Sequence, residues 1–353
     1  MIFLAKKKIL VIGTGGTIAS VKTKDGLRPA YKTGELISFF PEVGKIADIE
    51  GRMLFNIDSA NMQPHQWSEI AEEIGRQYDR YDGFVITHGT DTMHYTSAAL
   101  SFMLQGIGKP VVLTGSVKAI EKEGSDAGQN FIDSVIVACS GINEVCVVFH
   151  GKIIKGCKAR KVTNEATRIT NEDLDVYSSI NYHLVGEMIG KSVDDSRRKI
   201  VFNEKCGTRS VKDCKNQLRV LSKIADDGVF LLKIYPGFRP EMFDKLDDFK
   251  CVVIEAFGPG NIPFIENSLV EKIGMLVGRN VCVFVTTQNP FGEVDMNLYE
   301  VGQRAMRAGA IPCNDMTSDT ALVKMMWIMG NFGDDPKTIR KMMMKNFVDE
   351  IRV

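Results

Sequence analysis

Residues 9–12 are four consecutive apolar β-formers, Ile-Leu-Val-Ile, with no polar residue between them. Such a run predicts a strand covered on both faces, as in a parallel sheet flanked by helices. Similar runs return at 83–87, 111–114 and 145–149, and another strand is expected at 53–57. Between them the apolar positions step by three and four. Trp67, Ile70, Ala71, Ile74 and Tyr78 line one face of a helix that Pro64 opens, and another helix ends at Leu104. Strands alternating with helical stretches predict an α/β domain on a parallel sheet. A short amphipathic segment, 35–40, stops at Pro41. Around 187–228 the rhythm is lost among charges, from Asp194-Asp195 through Arg197-Arg198 to Asp226-Asp227-Gly228. Runs at 229–234, 251–254 and 281–286 then predict three buried strands of a second α/β unit. A helix with Leu269, Ile273, Leu276 and Val277 on one face lies between the last two. Methionine-rich helical patterns at 321–329 and 339–347 close the chain; such stripes are usually core. The expected division is a larger N-terminal domain over 1–205, a linker over 206–228 and a smaller C-terminal domain over 229–353.

The ends of the predicted strands share a chemistry. Residues 9–12 run into Gly13-Thr14-Gly15-Gly16-Thr17, 53–57 into Asp58-Ser59, 83–87 into His88-Gly89-Thr90-Asp91, and 111–114 into Gly115-Ser116. In a parallel sheet these ends meet on one rim, the usual ligand side of open α/β folds. Ser, Thr and Asp also cap helices, and capping explains one or two such clusters. It does not explain two glycine–threonine turns, at Thr17 and Thr90. A nucleotide loop fits neither turn. The dinucleotide fingerprint needs a glycine where Ile18 stands, and the lysine of a P-loop is missing. Residues 21–30, polar and holding Asp25-Gly26 and Pro29, read as a mobile loop after Thr17.

Composition narrows the class. The chain has 353 residues, 44% apolar and 25% charged, as in ordinary globular proteins. Lysine plus arginine equals aspartate plus glutamate at 44 each, so charge gives no reason to expect nucleic-acid or membrane partners. No apolar run nears the roughly 18 residues of a membrane span. The opening Met-Ile-Phe-Leu-Ala-Lys-Lys-Lys lacks the order of a signal peptide. Eight cysteines without a Cys-x-x-Cys fit a reducing cytoplasm. The five histidines are not at metal-ligand spacing, and no metal or cofactor is expected.

Thr14-Gly15-Gly16-Thr17-Ile18-Ala19 together with His88-Gly89-Thr90-Asp91-Thr92-Met93 resembles the bacterial-type L-asparaginases. Asp58-Ser59, Thr114-Gly115-Ser116, Ser125-Asp126, Gly258-Pro-Gly-Asn-Ile-Pro263 and Asp315-Met316-Thr317 extend the resemblance over nearly the whole chain. It is most similar to the cytosolic type I branch. The resemblance implies a two-domain α/β homo-oligomer, dimer or tetramer, that hydrolyses L-asparagine to L-aspartate and ammonia, with weaker action on glutamine. It implies Thr17 as nucleophile and Thr90, Asp91 and Lys161 as a second polar group. It also implies Asp58, Ser59, Asp91 and Ser116 as substrate contacts. By pattern alone Lys155, Lys158 and Lys161 read as solvated surface lysines. Val117-Lys118-Ala119 stands where the family usually has a proline. A related alternative is the amide-releasing subunit of an archaeal tRNA-dependent amidotransferase, which carries an extra N-terminal barrel. The first strand near Ile9 leaves no space for one. A non-catalytic amino-acid-binding protein is the alternative from another class.

The group that assists Thr17 is open. Members of the family often hold a tyrosine in a Gly-Tyr-x-Pro setting after the first threonine. Here the frame reads Gly26-Leu27-Arg28-Pro29, and leucine has no acid–base chemistry. Tyr31, two residues past Pro29, is the favoured substitute, and Tyr299 in the second domain is the other.

Overall fold

The computed structural model describes residues 6–24, 26–165, 167–169, 172–190, 198–206 and 217–352. It divides into two compact units, Met1–Leu221 and Ser222–Val353. Of the expected linker and its charged approach, 191–197 and 207–216 lie outside the described residues. Within the rest, Arg219–Val220 pairs antiparallel with Leu104–Gln105 of the first unit.

The first unit is built on an eight-stranded sheet. From one edge inward run Asp48–Ile57, Lys8–Gly15, Gly83–Thr87, Val111–Thr114 and Val145–Phe149, all parallel to their neighbours. Lys8–Gly15 and Gly83–Thr87 lie inside the sheet and are buried almost throughout, which is why their apolar runs carry no alternation. Asp48–Ile57 is an edge strand and largely exposed. Its first half, Asp-Ile-Glu-Gly-Arg, has no apolar run, so the pattern showed only residues 53–57.

The other edge departs from an all-parallel sheet. Lys152–Lys155, Gly186–Ile189 and Lys199–Phe202 add antiparallel strands beyond Val145–Phe149. The reversal happens at His150-Gly151, a two-residue turn with φ of 46° and 78°. Two successive positive φ values are what a tight hairpin with the natural strand twist requires. Residues 21–30 also differ from expectation. Ser20–Thr23 and Gly26–Pro29 form an antiparallel hairpin rather than an irregular loop, with Gly26 at φ 115°. Asp25 lies outside the described residues.

In the second unit Val229–Lys233, Cys251–Ala256, Cys282–Thr287 and Ile311–Pro312 form a four-stranded parallel sheet. Helices Val270–Gly278, Ser318–Phe332 and Pro336–Met343 belong to this unit. Its methionines Met316, Met325, Met329 and Met343 are buried, as core residues. The last helix stops at Met343, short of the expected Phe347. Lys324, fully buried, takes the Met343 and Lys345 carbonyls as acceptors and pairs with Glu350 at 2.6 Å. Past Met343 the chain turns so that these groups meet one ammonium. No helix among the described residues is long and apolar enough to cross a membrane.

Candidate active site

The first strand ends at Gly15, and Gly16, at φ 82°, hands the chain to a short 3₁₀ turn over Thr17–Ala19. The turn is locked from behind: Gly16 N–H donates to Ile57 O at 3.0 Å, and the buried Thr14 hydroxyl donates to Thr87 O at 2.9 Å. A Cβ at Gly16 would stand 2.3 Å from the Gly89 nitrogen. One at Gly89 would stand 2.5 Å from Ser59 Oγ, and one at Gly115 2.3 Å from the His88 carbonyl oxygen. Glycine is required at these positions by the close approach of neighbouring turns. The Thr17, Ser59, Thr90 and Ser116 turns are therefore stacked on one another. Thr17 itself is half-buried, and among the described residues its hydroxyl has no hydrogen-bond partner.

Thr90 is held differently. Lys161, at the end of the short strand Ala159–Lys161, donates to Thr90 Oγ1 at 3.0 Å and to Asp91 Oδ1 at 2.6 Å. Its side chain is 13% exposed, whereas Asp91 is 61% exposed and able to meet a cation from outside. Lys155 and Lys158 are buried too, with Lys155 on Glu144 at 2.6 Å. The surface reading of these lysines is thus corrected. Lys158 and Lys161 lie in segments that pack against helix Met93–Met103, and Lys155 is buried on Glu144, tertiary facts that local polarity does not carry. The register partner of Lys161 is Tyr177, whose buried hydroxyl donates to the Thr90 carbonyl. Burial, and then the charge of Asp91, push that phenol well above its ordinary pKa, so it remains a donor. Sequence reasoning missed Tyr177. Its only signal was a tyrosine in a short polar strand.

The remaining residues are mostly engaged with the protein. Asp58 Oδ1 accepts Ala60 N–H at 2.8 Å as a cap of the short turn Ser59–Asn61. Ser59 is buried, its Oγ accepting Asp91 N–H at 3.2 Å and its carbonyl accepting the Thr92 hydroxyl at 2.7 Å. Ser116 is buried and donates to Lys118 O at 2.7 Å. Helix Met93–Met103 starts three residues after Thr90, so the Thr90 amide lies in the turn before it. His88 is buried under that turn, donating from Nδ1 to Gly89 O at 2.7 Å and accepting the Thr96 hydroxyl at 2.9 Å. Burial holds its pKa down to about 4, so it is a neutral strut.

Tyr31 adjoins the Thr17 turn through its backbone, N–H to Ala19 O at 3.0 Å. Its hydroxyl donates to Glu121 instead of meeting Thr17. That hydrogen bond, with burial and the Glu121 charge behind it, raises the phenol pKa, the wrong direction for a base. The role expected for Tyr31 therefore does not fit this geometry. Tyr299 belongs to the second unit, where it precedes helix Glu300–Arg307 and is half exposed. A cavity of about 480 Å³ opens beside Lys161, lined by Asp91, His94, Lys161, Val162, Thr163 and Asn164. Among the described residues no three His, Cys, Asp or Glu are grouped to hold a metal.

Known proteins share this fold. A glutamyl-tRNA(Gln) amidotransferase chain of Pyrococcus abyssi is 37% identical over 350 residues, 98% of this chain and 76% of its own. L-asparaginase of Thermococcus kodakarensis is 36% identical over 348 residues, 98% of this chain and 99% of its own. The solved structure of the thermostable L-asparaginase from Thermococcus kodakarensis superposes with a TM-score of 0.85 at 34% identity, covering 98% and 99% of the two chains. L-asparaginase I from Vibrio cholerae gives 0.84 at 27% identity, covering 99% and 100%. The Pyrococcus and Thermococcus proteins are nearer in sequence than the Vibrio one, so the bacterial type I branch is not singled out. Residues 8–200 match the family described as Asparaginase, N-terminal, and 228–343 the Glutaminase/Asparaginase C-terminal domain. With both halves matched in order and the two-unit fold shared, the chain belongs to the asparaginase family.

Proposed function

We propose that the protein hydrolyses L-asparagine to L-aspartate and ammonia, with weaker action on L-glutamine, through an ester on Thr17. The observation that carries the reading is a contrast. The Thr17 hydroxyl is unpartnered among the described residues, and the Lys161–Thr90–Asp91 group is stacked behind it. Amide carbons are poor electrophiles, and two acyl-transfer steps replace one high barrier. Thr17 Oγ forms a bond to the side-chain amide carbon, the C–N bond breaks, and the Thr17 proton leaves with ammonia. Water then cleaves the ester and restores Thr17. The Thr90 oxygen accepts from Lys161, which leaves its own proton to direct toward the reacting group. The Thr90 amide would meet the oxyanion, a kind of contact worth about 3–4 kcal/mol of barrier. Asp91, with its exposed carboxylate, would hold the substrate α-ammonium, and Asp58, Ser59 and Ser116 the other polar ends. The protein is proposed to act in the cytoplasm as a homodimer or homotetramer, without metal or cofactor, and without binding nucleic acid or membranes.

A second reading is amide release from glutamine within a tRNA-dependent amidotransferase. The similarity to glutamyl-tRNA(Gln) amidotransferase chains of two Pyrococcus species favours it. Ammonia release by the purified protein from asparagine and from glutamine separates the two. Asparagine turnover by the protein alone supports the first reading. No release from asparagine, with glutamine cleavage only beside a partner protein, replaces it with the second. Binding without any release leaves the non-catalytic class.

A further inference from the structure

His150 occupies the turn that reverses the sheet, and its ring does more than the turn needs. Nδ1 lies 2.5 Å from Asp175 Oδ1, and Nε2 lies 3.3 Å from Asp126 Oδ2. Both ring nitrogens face carboxylates, which only accept, so both nitrogens donate and the ring is an imidazolium. Burial opposes that charge; the hydrogen bonds and charges of Asp126 and Asp175 outweigh it and raise the pKa to about 9. The groups around the ring come from three directions. Asp126 heads helix Ala127–Ala138, Asp175 precedes strand Tyr177–Ser179, and Lys152 of the hairpin lies 3.3 Å from Asp175 Oδ2. Asn130 Oδ1 accepts the His150 N–H at 2.9 Å.

Each carboxylate also holds a different side of the candidate site. Asp126 accepts the Val117 and Lys118 amides at 3.0 Å, which fixes the loop leaving Ser116. Asp175 accepts the Val176 amide at 2.9 Å. Val176 O accepts Val162 N–H at 2.9 Å, and the next residue, Tyr177, reaches the Thr90 carbonyl beside Lys161. One ring therefore joins the Ser116 loop to the Lys161–Tyr177 strand pair.

We propose that His150 is a positioning residue whose imidazolium, bridging Asp126 and Asp175, keeps the Ser116 loop and the Thr90–Lys161 group in fixed relation. Its kinetic side rests on the amide-hydrolase reading; the clamp itself does not. The signs follow from the raised pKa. The clamp is complete below the ordinary histidine value of 6.5 and is lost as pH rises through about 9. Above that point one carboxylate loses the ring N–H and keeps only its other donors.

The test is an NMR titration of the wild-type protein with labelled histidine and backbone amides, His150 being assigned by its loss in His150→Asn. Asparagine tolerates a positive φ, so the turn survives while both ring bridges go. The ring should titrate with a midpoint of about 9, and the Val117, Lys118 and Val176 amides should shift with the same midpoint. Asp175→Asn should bring the ring back toward about 6.5. On whichever amide the enzyme turns over, His150→Asn should lower kcat/KM about tenfold at neutral pH, the scale of outer-shell partners, and lose the alkaline step near 9. A ring midpoint near 6.5, or loop amides that ignore it, overturns the clamp even if no substrate is found. An alkaline step unchanged in His150→Asn overturns the kinetic role. Absence of all amide hydrolysis by the wild type defeats the functional reading and leaves the clamp to be decided by the titration.

Discussion

Two threonine turns lie back to back at the carboxyl rim of the large sheet, and they are built in opposite ways. Thr17 follows a glycine pair, is half-buried and has a hydroxyl without a partner among the described residues. Thr90 is held at its oxygen by Lys161 and at its carbonyl by Tyr177. A hydroxyl that must form and break a bond to carbon has to be left available. A hydroxyl that only steers a proton works best when its oxygen is fixed and its hydrogen has one direction to go. Sequence similarity between the turns hides this difference, because the groups that fix Thr90 come from residues 161 and 177.

Removing the free hydroxyl should do most. Thr17→Ala is expected to cut amide hydrolysis by about 10⁴–10⁶-fold, the range for losing a member of a covalent catalytic unit. Its thermal midpoint should stay near wild type, since no core void opens. Thr17→Ser should keep part of the rate. Near-normal steady-state hydrolysis by Thr17→Ala would exchange the roles of the two turns. Releasing the tethered hydroxyl comes next. Lys161→Met is expected to slow turnover by about 10²–10⁴-fold. A loss of only a few-fold would make Lys161 a structural partner of Asp91.

The third effect is smaller and separates steering from packing. Tyr177→Phe keeps the buried ring but removes the donor to the Thr90 carbonyl. An unmet acceptor there should cost about 1–3 kcal/mol of stability, read by denaturant unfolding. If the bond also aims Thr90, kcat should fall about tenfold with KM little changed. Lost stability with unchanged kcat would leave Tyr177 as packing alone.

Much of the fold was legible because burial writes itself into the pattern. Gly83–Thr87 and Val111–Thr114 are interior strands, and their bounds follow from apolar runs. Asp48–Ile57 lies at an edge, so half of it was silent. The antiparallel strands after His150-Gly151 are only four residues each, too short to give a clear pattern, and the first of them is set by the turn's two positive φ values. The candidate site divides along the same line. Thr17, Ser59, Thr90 and Ser116 stand directly after strands, where chain order alone stacks them. Lys161, Tyr177 and His150 reach the site across the fold. The family resemblance pointed to Lys161, but nothing local pointed to the other two.

The smallest expected effect concerns the loop in front of Thr17, where the sequence favoured Tyr31 as the group that takes the threonine proton. In the structure that phenol is a donor to Glu121, and the carboxylate makes its proton harder to remove. A base for Thr17 would need the reverse: a neighbouring positive charge and a free oxygen. The cation that the geometry brings to the paired turns is Lys161, on the Thr90 side. We therefore expect activation of Thr17 to come through Thr90 and Lys161, and Tyr31→Phe to lower kcat only a few-fold, within about 1 kcal/mol of barrier. Glu121→Gln should change kcat as little, because it removes only the negative charge beside that phenol and leaves an acceptor for it. Tyr299→Phe serves as the control in the second unit. Steady-state kinetics on the three variants decide the point. A collapse of kcat in Tyr31→Phe, with KM within a few-fold and the other two near normal, would mean that Tyr31 leaves Glu121 and turns to Thr17 during turnover. The contrast between a free and a tethered threonine would then describe only the resting enzyme.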